Sequence, residues 1–220
     1  MLREKLIKWD KNLAYCVGLL VSDGNLSKDG RHIVLVSKDK SLIKTFKNCL
    51  DLENRIANKK SGYNKNGRYY YVQFGNVKLY RWLNNIGVTQ NKSKTIGKLS
   101  IPQKYFFDFT RGLLDGDGCV TSFNHPESRY PQIRVKFTSG SKNFIVWLRD
   151  RIDSFLDIKG KIEKIPRAFQ LIYYKNDSIE LLRRIYYKNA GICLNRKLVK
   201  TERLLAENKG GWWNWKTREA

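Results

Sequence analysis

The feature that most constrains this chain is a pair of similar segments placed 94 positions apart. YCVGLLVSDGNL occupies residues 15–26, FTRGLLDGDGCV occupies residues 109–120, and both contain the pattern G-L-L-x-x-D-G. Each is followed by a strand-like segment, a Ser/Lys turn and an amphipathic segment, at 32–46 and 134–148. Because the similarity continues far beyond the first motif, the sequence predicts an internal duplication rather than two unrelated apolar helices.

Each copy has the order helix, two strands, helix, two strands and helix. The strands are inferred from alternating apolar and polar residues and from enrichment in β-branched and aromatic residues. In the segment 132–138, Ile133, Val135 and Phe137 share one face, and polar or basic residues share the other. This alternation is typical of an antiparallel sheet with one solvated face, so we predict an α+β fold.

The duplication also predicts the domain organisation. We expect an N-terminal half at 1–96, a linker at 97–104 that contains a proline, and a C-terminal half at 105–208. Residues 209–220 form a tail with three tryptophans and no counterpart in the first copy. These rings either cover an edge of the core or stack on a partner.

Small residues predict that the two repeated helices pack directly on each other. Gly18 and Ser22 are four residues apart in one helix, as are Gly112 and Gly116 in the other. Residues at this spacing lie on one helix face, and small side chains there allow two backbones to approach closely. The repeated helices are therefore expected to meet about a pseudo-two-fold axis.

Asp23 and Asp117 form the candidate catalytic pair. They occupy equivalent positions, where each is expected to end its helix before a glycine. Two neighbouring carboxylates repel each other unless a cation lies between them, and carboxylate oxygens suit Mg²⁺ or Mn²⁺. Metal ions so placed can stabilise the attacking and leaving oxygens of phosphodiester hydrolysis. The alternative is ordinary Asp-Gly turn chemistry, which equivalent positions in both copies make less attractive.

The charge of the chain points to a polyanionic partner. It carries 43 Lys and Arg against 20 Asp and Glu, a formal net charge of +23 over 220 residues, and nucleic acid is the commonest target of such an excess. Four scattered cysteines and two histidines predict neither a zinc motif nor a disulfide framework. No apolar run is long enough for a membrane span, and the charged N-terminus lacks a secretory signal. We expect an intracellular protein with no membrane partner, in an organelle or a prokaryotic cytoplasm.

Both repeated segments resemble the LAGLIDADG motif of homing endonucleases. CVGLLVSDG at 16–24 and TRGLLDGDG at 110–118 align with this nonapeptide, and its eighth position, the metal-binding acid of active members, falls on Asp23 and Asp117. The resemblance extends over residues 10–205 and includes the presence of two motifs in one chain.

Two motif positions depart from the family pattern. Cys16 and Thr110 stand in place of the first leucine, and both are compatible with a helix interface. Position six is Val21 in the first copy and Asp115 in the second. Because this position varies in the family, the sequence assigns no role to Asp115.

The resemblance implies a monomer with two pseudo-symmetric αββαββα halves joined by packed motif helices. Each half would present a saddle-shaped antiparallel sheet to the major groove of double-stranded DNA. The implied activity is site-specific double-strand cleavage by an intron-encoded homing endonuclease, which leaves 3′ overhangs at a long, partly asymmetric target and needs no obligate protein partner. Mg²⁺ or Mn²⁺ would be held by Asp23 and Asp117, whereas Ca²⁺ could occupy the sites without supporting cleavage.

Basic residues that close each repeat are the candidates for further catalytic groups, because family members place such residues near the active site. They are Lys92, Lys94, Arg196 and Lys197. The alternative is that these cations only contact the DNA backbone.

Candidate DNA contacts are polar residues at alternate strand positions, with cations and turn residues nearby. Asn, Gln and Arg suit base edges, and cations suit phosphates. In the first copy the candidates are Asn25, Ser27, Lys28, Arg31, His32, Lys59, Lys60, Tyr63, Asn64, Lys65, Arg68 and Tyr70. In the second copy they are Thr121, Ser122, Asn124, His125, Arg129, Gln132, Arg134, Lys136, Thr138, Lys161, Glu163, Lys164, Arg167 and Gln170.

Two other functions remain open beside the endonuclease. One is an RNA-binding intron maturase, a splicing cofactor built on the same fold, and the other is a DNA-binding regulator that does not cleave. Members that assist splicing often lose one of the motif acids. The presence of both Asp23 and Asp117 therefore favours the nuclease.

Overall fold

Two four-stranded antiparallel sheets form the framework of the computed structural model. The structure describes residues 7–60, 68–124, 126–127 and 130–208, with only the backbone for residues 59, 60 and 68. Tyr63, Asn64, Lys65, His125, Arg129 and the tail at 209–220 lie outside the described residues. No described helix is long and apolar enough to cross a membrane.

The described residues of the first half form four helices and four strands. In chain order these are α1 (Lys11–Asp23), β1 (Gly24–Leu26), β2 (His32–Ser37), α2 (Lys40–Cys49), β3 (Ala57–Lys60), β4 (Arg68–Gly75), α3 (Val77–Asn85) and the short α4 (Lys92–Thr95). The strands pair in the order β1-β2-β4-β3.

The second half repeats this plan after a short 3₁₀ turn at Gln103–Tyr105. Its elements are α5 (Phe106–Asp115), β5 (Cys119–Phe123), β6 (Gln132–Ser139), α6 (Lys142–Leu156), β7 (Lys161–Ile165), β8 (Ala168–Tyr174), α7 (Lys175–Ile185) and α8 (Asn195–Glu207). The strand order is β5-β6-β8-β7, the same as in the first half. The predicted α+β fold with two halves of αββαββα type is therefore confirmed.

The same local device links strand and helix in both halves. The Ser37 Oγ accepts a hydrogen bond from the Asp39 backbone N–H at 3.1 Å, and the Ser139 Oγ accepts one from the Ser141 N–H at 3.2 Å. Hydroxyl groups often stabilise tight turns in this way. Ser141 then caps α6 by accepting from the Phe144 N–H, so the equivalent turns begin equivalent helices.

Alternating residues divide each sheet into a buried and an outer face. Ile33, Leu35 and Val72 of the first sheet are completely buried, as is Val135 of the second. The helices α1, α2, α5 and α6 cover these faces and join one continuous apolar core. The polar faces remain on the outside, as the alternation in sequence predicts.

The two motif helices end differently. Asp23 is the last residue of α1, as predicted, but α5 ends at Asp115 and Asp117 lies in the turn that follows. The prediction that both acids end their helices is thus wrong for Asp117. Lys197 binds the carbonyl groups of this turn and holds it in place.

The glycines after the acids were predicted to end the helices, but the structure gives them a different role. Neither Gly24 nor Gly118 has the positive φ of a helix-ending glycine. A Cβ atom on Gly24 would lie 2.5 Å from the Leu20 carbonyl oxygen, and one on Gly118 would lie 2.6 Å from the Leu114 Cα. Glycine is required here because the chain passes directly against its own helix.

Candidate nuclease site and nucleic-acid interface

The site lies where the ends of α1 and α5 meet. A Cβ atom on Gly116 would lie 2.0 Å from the Ser22 Oγ and 2.9 Å from the Asp23 Oδ2. The absence of a side chain at Gly116 therefore lets the end of α1 approach the turn that carries Asp117. Close packing brings the two acids together, as the small residues in the sequence predict.

The carboxyl groups of Asp23 and Asp117 lie close together and line one cavity. Burial and the nearby charge of Asp117 raise the pKa of Asp23 to about 7, against the opposing effect of Lys197 and Lys92. In the absence of a cation, Asp23 therefore keeps its proton up to about neutral pH.

This donor set fits a hard divalent cation. Mg²⁺ is commonly held by one or two carboxylates together with water and phosphate oxygens. The described residues contain no group of three or more His, Cys, Asp or Glu that could hold a metal. Asp23 and Asp117 would be the acidic ligands, and a bound cation would offset the burial and the repulsion that raise the pKa of Asp23.

Lys92 lies beside the acid pair. It begins α4, is buried, and lines a cavity of about 380 Å³ together with Asp117 and Thr138. Burial lowers the pKa of the Lys92 ammonium, while the charges of Asp117 and Asp23 act in the opposite direction. Lys94 is exposed on the same short helix and lies next to Gly140.

Lys197 has a different environment. Its ammonium donates to the carbonyl oxygens of Leu114, Asp115 at 3.0 Å, Gly116 at 3.2 Å and Gly118 at 2.7 Å. These groups form the end of α5 and the turn around Asp117, where helical carbonyls lack partners and carry partial negative charge. The ammonium, predicted as a catalytic group, therefore binds the backbone of the site.

The closing segment of each half reaches across to the other half. The Arg196 Nη2 lies 2.7 Å from the Asp39 Oδ2, next to the first sheet. In the equivalent place, the Ser141 Oγ donates to the Ile96 carbonyl oxygen at 2.5 Å. Arg196 also lines a cavity that includes both Asp23 and Asp117. Both predicted basic segments are thus brought to the acid pair from opposite sides.

Asp115, to which the sequence assigned no role, is the central acceptor of a buried hydrogen-bond network. Its carboxylate accepts hydrogen bonds from the Tyr15 hydroxyl at 2.8 Å, the Tyr186 hydroxyl at 2.6 Å and the Leu194 N–H at 2.6 Å. Burial raises the pKa of this carboxyl, although the three hydrogen bonds oppose the shift. The only sequence signal was an acid on the apolar face of a helix, with Val21 at the equivalent position.

The outer face of the first sheet carries some of the predicted contacts. By register, Asn25 and His32 lie on it beside Gln73, together with Val34. The His32 Nδ1 contacts the Asp29 carboxyl group. Ser27, Lys28 and Arg31 lie in or beside the turn between β1 and β2. Lys59, Lys60 and Arg68 belong to β3 and β4, of which only the backbone is described there.

One predicted contact in this sheet falls on the wrong face. Tyr70 pairs with Ser37 and packs against the core, so its assignment to the DNA surface is corrected. Because strand residues alternate between faces, Tyr69 and Tyr71 lie on the outer face in its place.

The second sheet presents most of its predicted contacts on one face. Those on the outer face are Thr121, Gln132, Arg134, Lys136, Thr138, Lys161, Glu163 and Gln170. Asn124 and Arg167 follow strand ends. Ser122 and Lys164 pair with Ile133 and Phe169, so they lie on the opposite, helix-covered face and are corrected.

Several of these polar groups already bind each other. Lys161 and Glu163 form an ion pair at 2.8 Å, and the Gln170 Nε2 donates to the Thr138 Oγ1 at 3.2 Å. Such contacts hold polar side chains in fixed positions on an exposed sheet.

Comparison with known proteins agrees with this arrangement. Residues 10–87 match the sequence profile of the LAGLIDADG-like domain. The chain has the LAGLIDADG fold. The matched residues include the first of the two motifs, and the paired motif helices form the centre of the fold.

The LAGLIDADG fold of this chain is similar to two kinds of solved structure. Variants of the homing endonuclease I-DmoI superpose with a TM-score of 0.57 at 16% identity, over 87% of this chain and 97% of that one. The homing endonuclease I-LtrWI, bound to its target DNA, gives 0.55 at 16% identity, over 89% and 90%. I-DmoI has also been solved with DNA and Ca, and with DNA and Mn.

The second kind is represented by full-length DUF199/WhiA from Thermatoga maritima. Its TM-score is 0.58 at 16% identity, with 92% of this chain covered, and the chain spans 63% of the length of that protein. A search of curated proteins found no matching relative. At these identities the similarity establishes the fold alone, and the LAGLIDADG fold is therefore shared by proteins beyond the homing endonucleases.

Proposed function

We propose that this protein is a site-specific endonuclease that cuts both strands of DNA, an intron-encoded homing endonuclease in type. The observation that carries the proposal is the contact between Asp23 and Asp117 at the junction of two similar halves. Because the LAGLIDADG fold also occurs in WhiA, the fold alone does not establish cleavage. The acid pair adds the chemistry that cleavage needs.

The position of the acids suits a substrate with two strands. Asp23 ends α1, and Asp117 lies in the turn that follows α5, so the two acids lie where helices related by the duplication end. Phosphates that face each other across the minor groove of B-DNA are close together and offset towards the 3′ ends of the strands. If the two adjacent carboxylates act on these two phosphates, cleavage would therefore leave 3′ overhangs.

Asp23 and Asp117 would hold the divalent cations, Mg²⁺ or Mn²⁺, next to the scissile phosphates. When bound, such ions neutralise charge on the phosphate and lower the pKa of a bound water. Lys92 adds a buried positive charge next to the same oxygens. Lys197 fixes the turn that carries Asp117, and Arg196, held by Asp39, places a second cation at the cavity that contains both acids.

The partner we propose is a long, partly asymmetric duplex bound by a single chain. The two outer sheet faces differ in sequence, which predicts unequal half-sites. The net charge of +23 supplies the electrostatic attraction to phosphates that such a duplex needs.

The decisive experiment changes Asp23→Asn and Asp117→Asn separately. A randomised duplex library incubated with Mg²⁺ is sequenced for cleaved sites, and binding of the selected site is then measured with Ca²⁺. We expect either change to abolish double-strand cleavage while binding survives. Asp157→Asn is a matched control, because Asp157 is exposed and has the left-handed backbone that asparagine tolerates.

Three results would contradict the proposal. Cleavage that survives both substitutions would remove the acids from the mechanism. Sequence-specific DNA binding without cleavage by the unaltered chain in Mg²⁺ or Mn²⁺ would identify a DNA-binding regulator instead. Tight binding to structured intron RNA in preference to duplex DNA would identify the maturase.

A further inference from the structure

Arg134 lies on the outer face of the second sheet, near one end of its central strands. It lies on β6, a central strand, and pairs with Thr121 of β5 on one side and Tyr174 of β8 on the other. Its guanidinium carbon lies 4.2 Å from the centre of the Phe123 ring and 5.3 Å from the centre of the Tyr174 ring. Because these rings come from the two neighbouring strands, they flank the guanidinium from both sides.

Among the described residues, the Arg134 guanidinium has no polar partner. The Arg134 Nε is buried without a hydrogen bond, and no hydrogen bond or ion pair among the described residues engages the rest of the group. Its neighbours differ, since Lys161 pairs with Glu163 and Gln170 with Thr138. A buried polar atom without a partner is uncommon in folded proteins and calls for an explanation.

The flanking rings account for the fixed position of the side chain. Cation–π contacts on both sides restrict a long side chain that otherwise samples many rotamers. Phe123 is 37% exposed, which is high for a large apolar side chain. An exposed ring that supports a cation on a DNA-facing surface contributes little to the core, and its contribution lies in holding the cation.

We propose that Arg134 is a preorganised reader of one guanine in the DNA target. The two Nη atoms of a guanidinium donate to O6 and N7 of guanine in the major groove, which is the commonest specific contact of arginine with DNA. A central strand faces base edges, whereas phosphates lie towards the rims of a groove. The inference rests on the proposed binding of duplex DNA, but it does not require cleavage.

The test is a binding selection from a randomised DNA duplex in Ca²⁺, with the full chain and with Arg134→Ala. The unaltered protein is expected to select guanine at one position of one half-site. Arg134→Ala should lose that preference by about 10- to 100-fold, the range expected for one bidentate contact, and keep the preferences elsewhere. Arg134→Lys keeps the charge and much of the side-chain packing, and it should lose most of the preference while it remains folded.

Two further variants separate base reading from general effects. Lys164→Ala removes one positive charge from the opposite face of the same sheet, and it should leave every base preference unchanged. Phe123→Ala removes one flanking ring from an exposed position, and it should weaken the guanine preference by a smaller factor.

The outcomes distinguish this inference from the proposed function. If Arg134→Ala weakens binding to all sequences equally, the residue is a phosphate contact and the inference is wrong. If the guanine preference depends on Arg134 but the chain does not cleave DNA, the inference stands and the nuclease proposal falls. If the chain does not bind duplex DNA, both are wrong.

Discussion

The backbones of Gly18 and Gly112 touch where α1 crosses α5. A Cβ atom on Gly18 would lie 2.8 Å from the Cα of Gly112, and 2.2 Å from the carbonyl oxygen of Phe109. Neither distance is compatible with a real side chain unless the helices separate. Since Asp23 and the turn of Asp117 lie at the ends of these helices, the contact between the glycines sets the spacing of the acid pair.

Gly112→Ala should therefore lower both stability and cleavage. A methyl group in close-packed backbone forces the helices apart, which costs about 3 kcal/mol of unfolding free energy. Chemical denaturation measures this loss, and cleavage should fall further than the stability change alone explains. Gly97→Ala is the matched control, because a Cβ there meets no atom within 4 Å. A Gly112→Ala variant as stable and as active as the control would contradict this view of the crossing.

Much of this arrangement could be predicted from spacing within the sequence. Gly18 with Ser22, and Gly112 with Gly116, indicate close helix packing because helical periodicity places them on one face. Strand alternation likewise predicts the outer face of β6, from Gln132 to Thr138. Periodicity assigns a residue to a face only when the position of the strand is known. For Tyr70 an error of one position placed it on the outer face instead of the core face.

The remaining features depend on contacts between distant parts of the chain. Lys197 was predicted from its position after the second repeat, but its binding to carbonyls of the turn around Asp117 depends on how α8 docks. Asp115 is explained by Tyr15 and Tyr186, which are far from it in sequence. A pattern within one segment carries no information about such partners.

Asp23 should make the metal-free protein less stable as the pH rises. The folded protein holds a proton on this carboxyl up to a pKa of about 7, whereas the unfolded chain releases it near 3.8. Because the folded state binds more protons between these values, the free energy of unfolding decreases as the pH rises through this window. Discounted for partial exposure, the contribution of this carboxyl is about 1–2 kcal/mol.

The measurement is chemical denaturation with a chelator at about pH 5 and about pH 8. Asp23→Asn has no carboxyl at this position, so it should lack this part of the pH dependence. Addition of Ca²⁺ at the higher pH should restore stability to the unaltered chain and not to the variant. An identical pH dependence in both proteins would show that folding does not raise the pKa of Asp23.

Lys197→Met should destabilise the turn that carries Asp117. Methionine fills similar volume but leaves the carbonyl oxygens of Asp115, Gly116 and Gly118 without their donor. The expected loss is about 3 kcal/mol of unfolding free energy, since several buried acceptors lose a charged partner. Lys200→Met tests the same substitution at an exposed position of α8 and should have little effect.

Cleavage by Lys197→Met should then be analysed with each strand labelled separately. If Lys197 acts by holding Asp117, nicked DNA should accumulate because one strand is cut more slowly than the other. If the variant cuts both strands more slowly by the same factor, and this factor matches the loss of folded protein, Lys197 contributes only to overall stability.

DNA binding should weaken steeply as salt is added. Each phosphate neutralised on a duplex contributes a slope of about −0.9 to the dependence of log K on log salt concentration. Lys28→Ala removes an exposed cation from the turn between β1 and β2, at the edge of the outer face, so the slope should become shallower by about 0.9. Lys44→Ala removes the same charge from α2, which covers the opposite face of the sheet, and the slope should not change. Equal slopes for the two variants would place the duplex elsewhere than on the outer face of the first sheet.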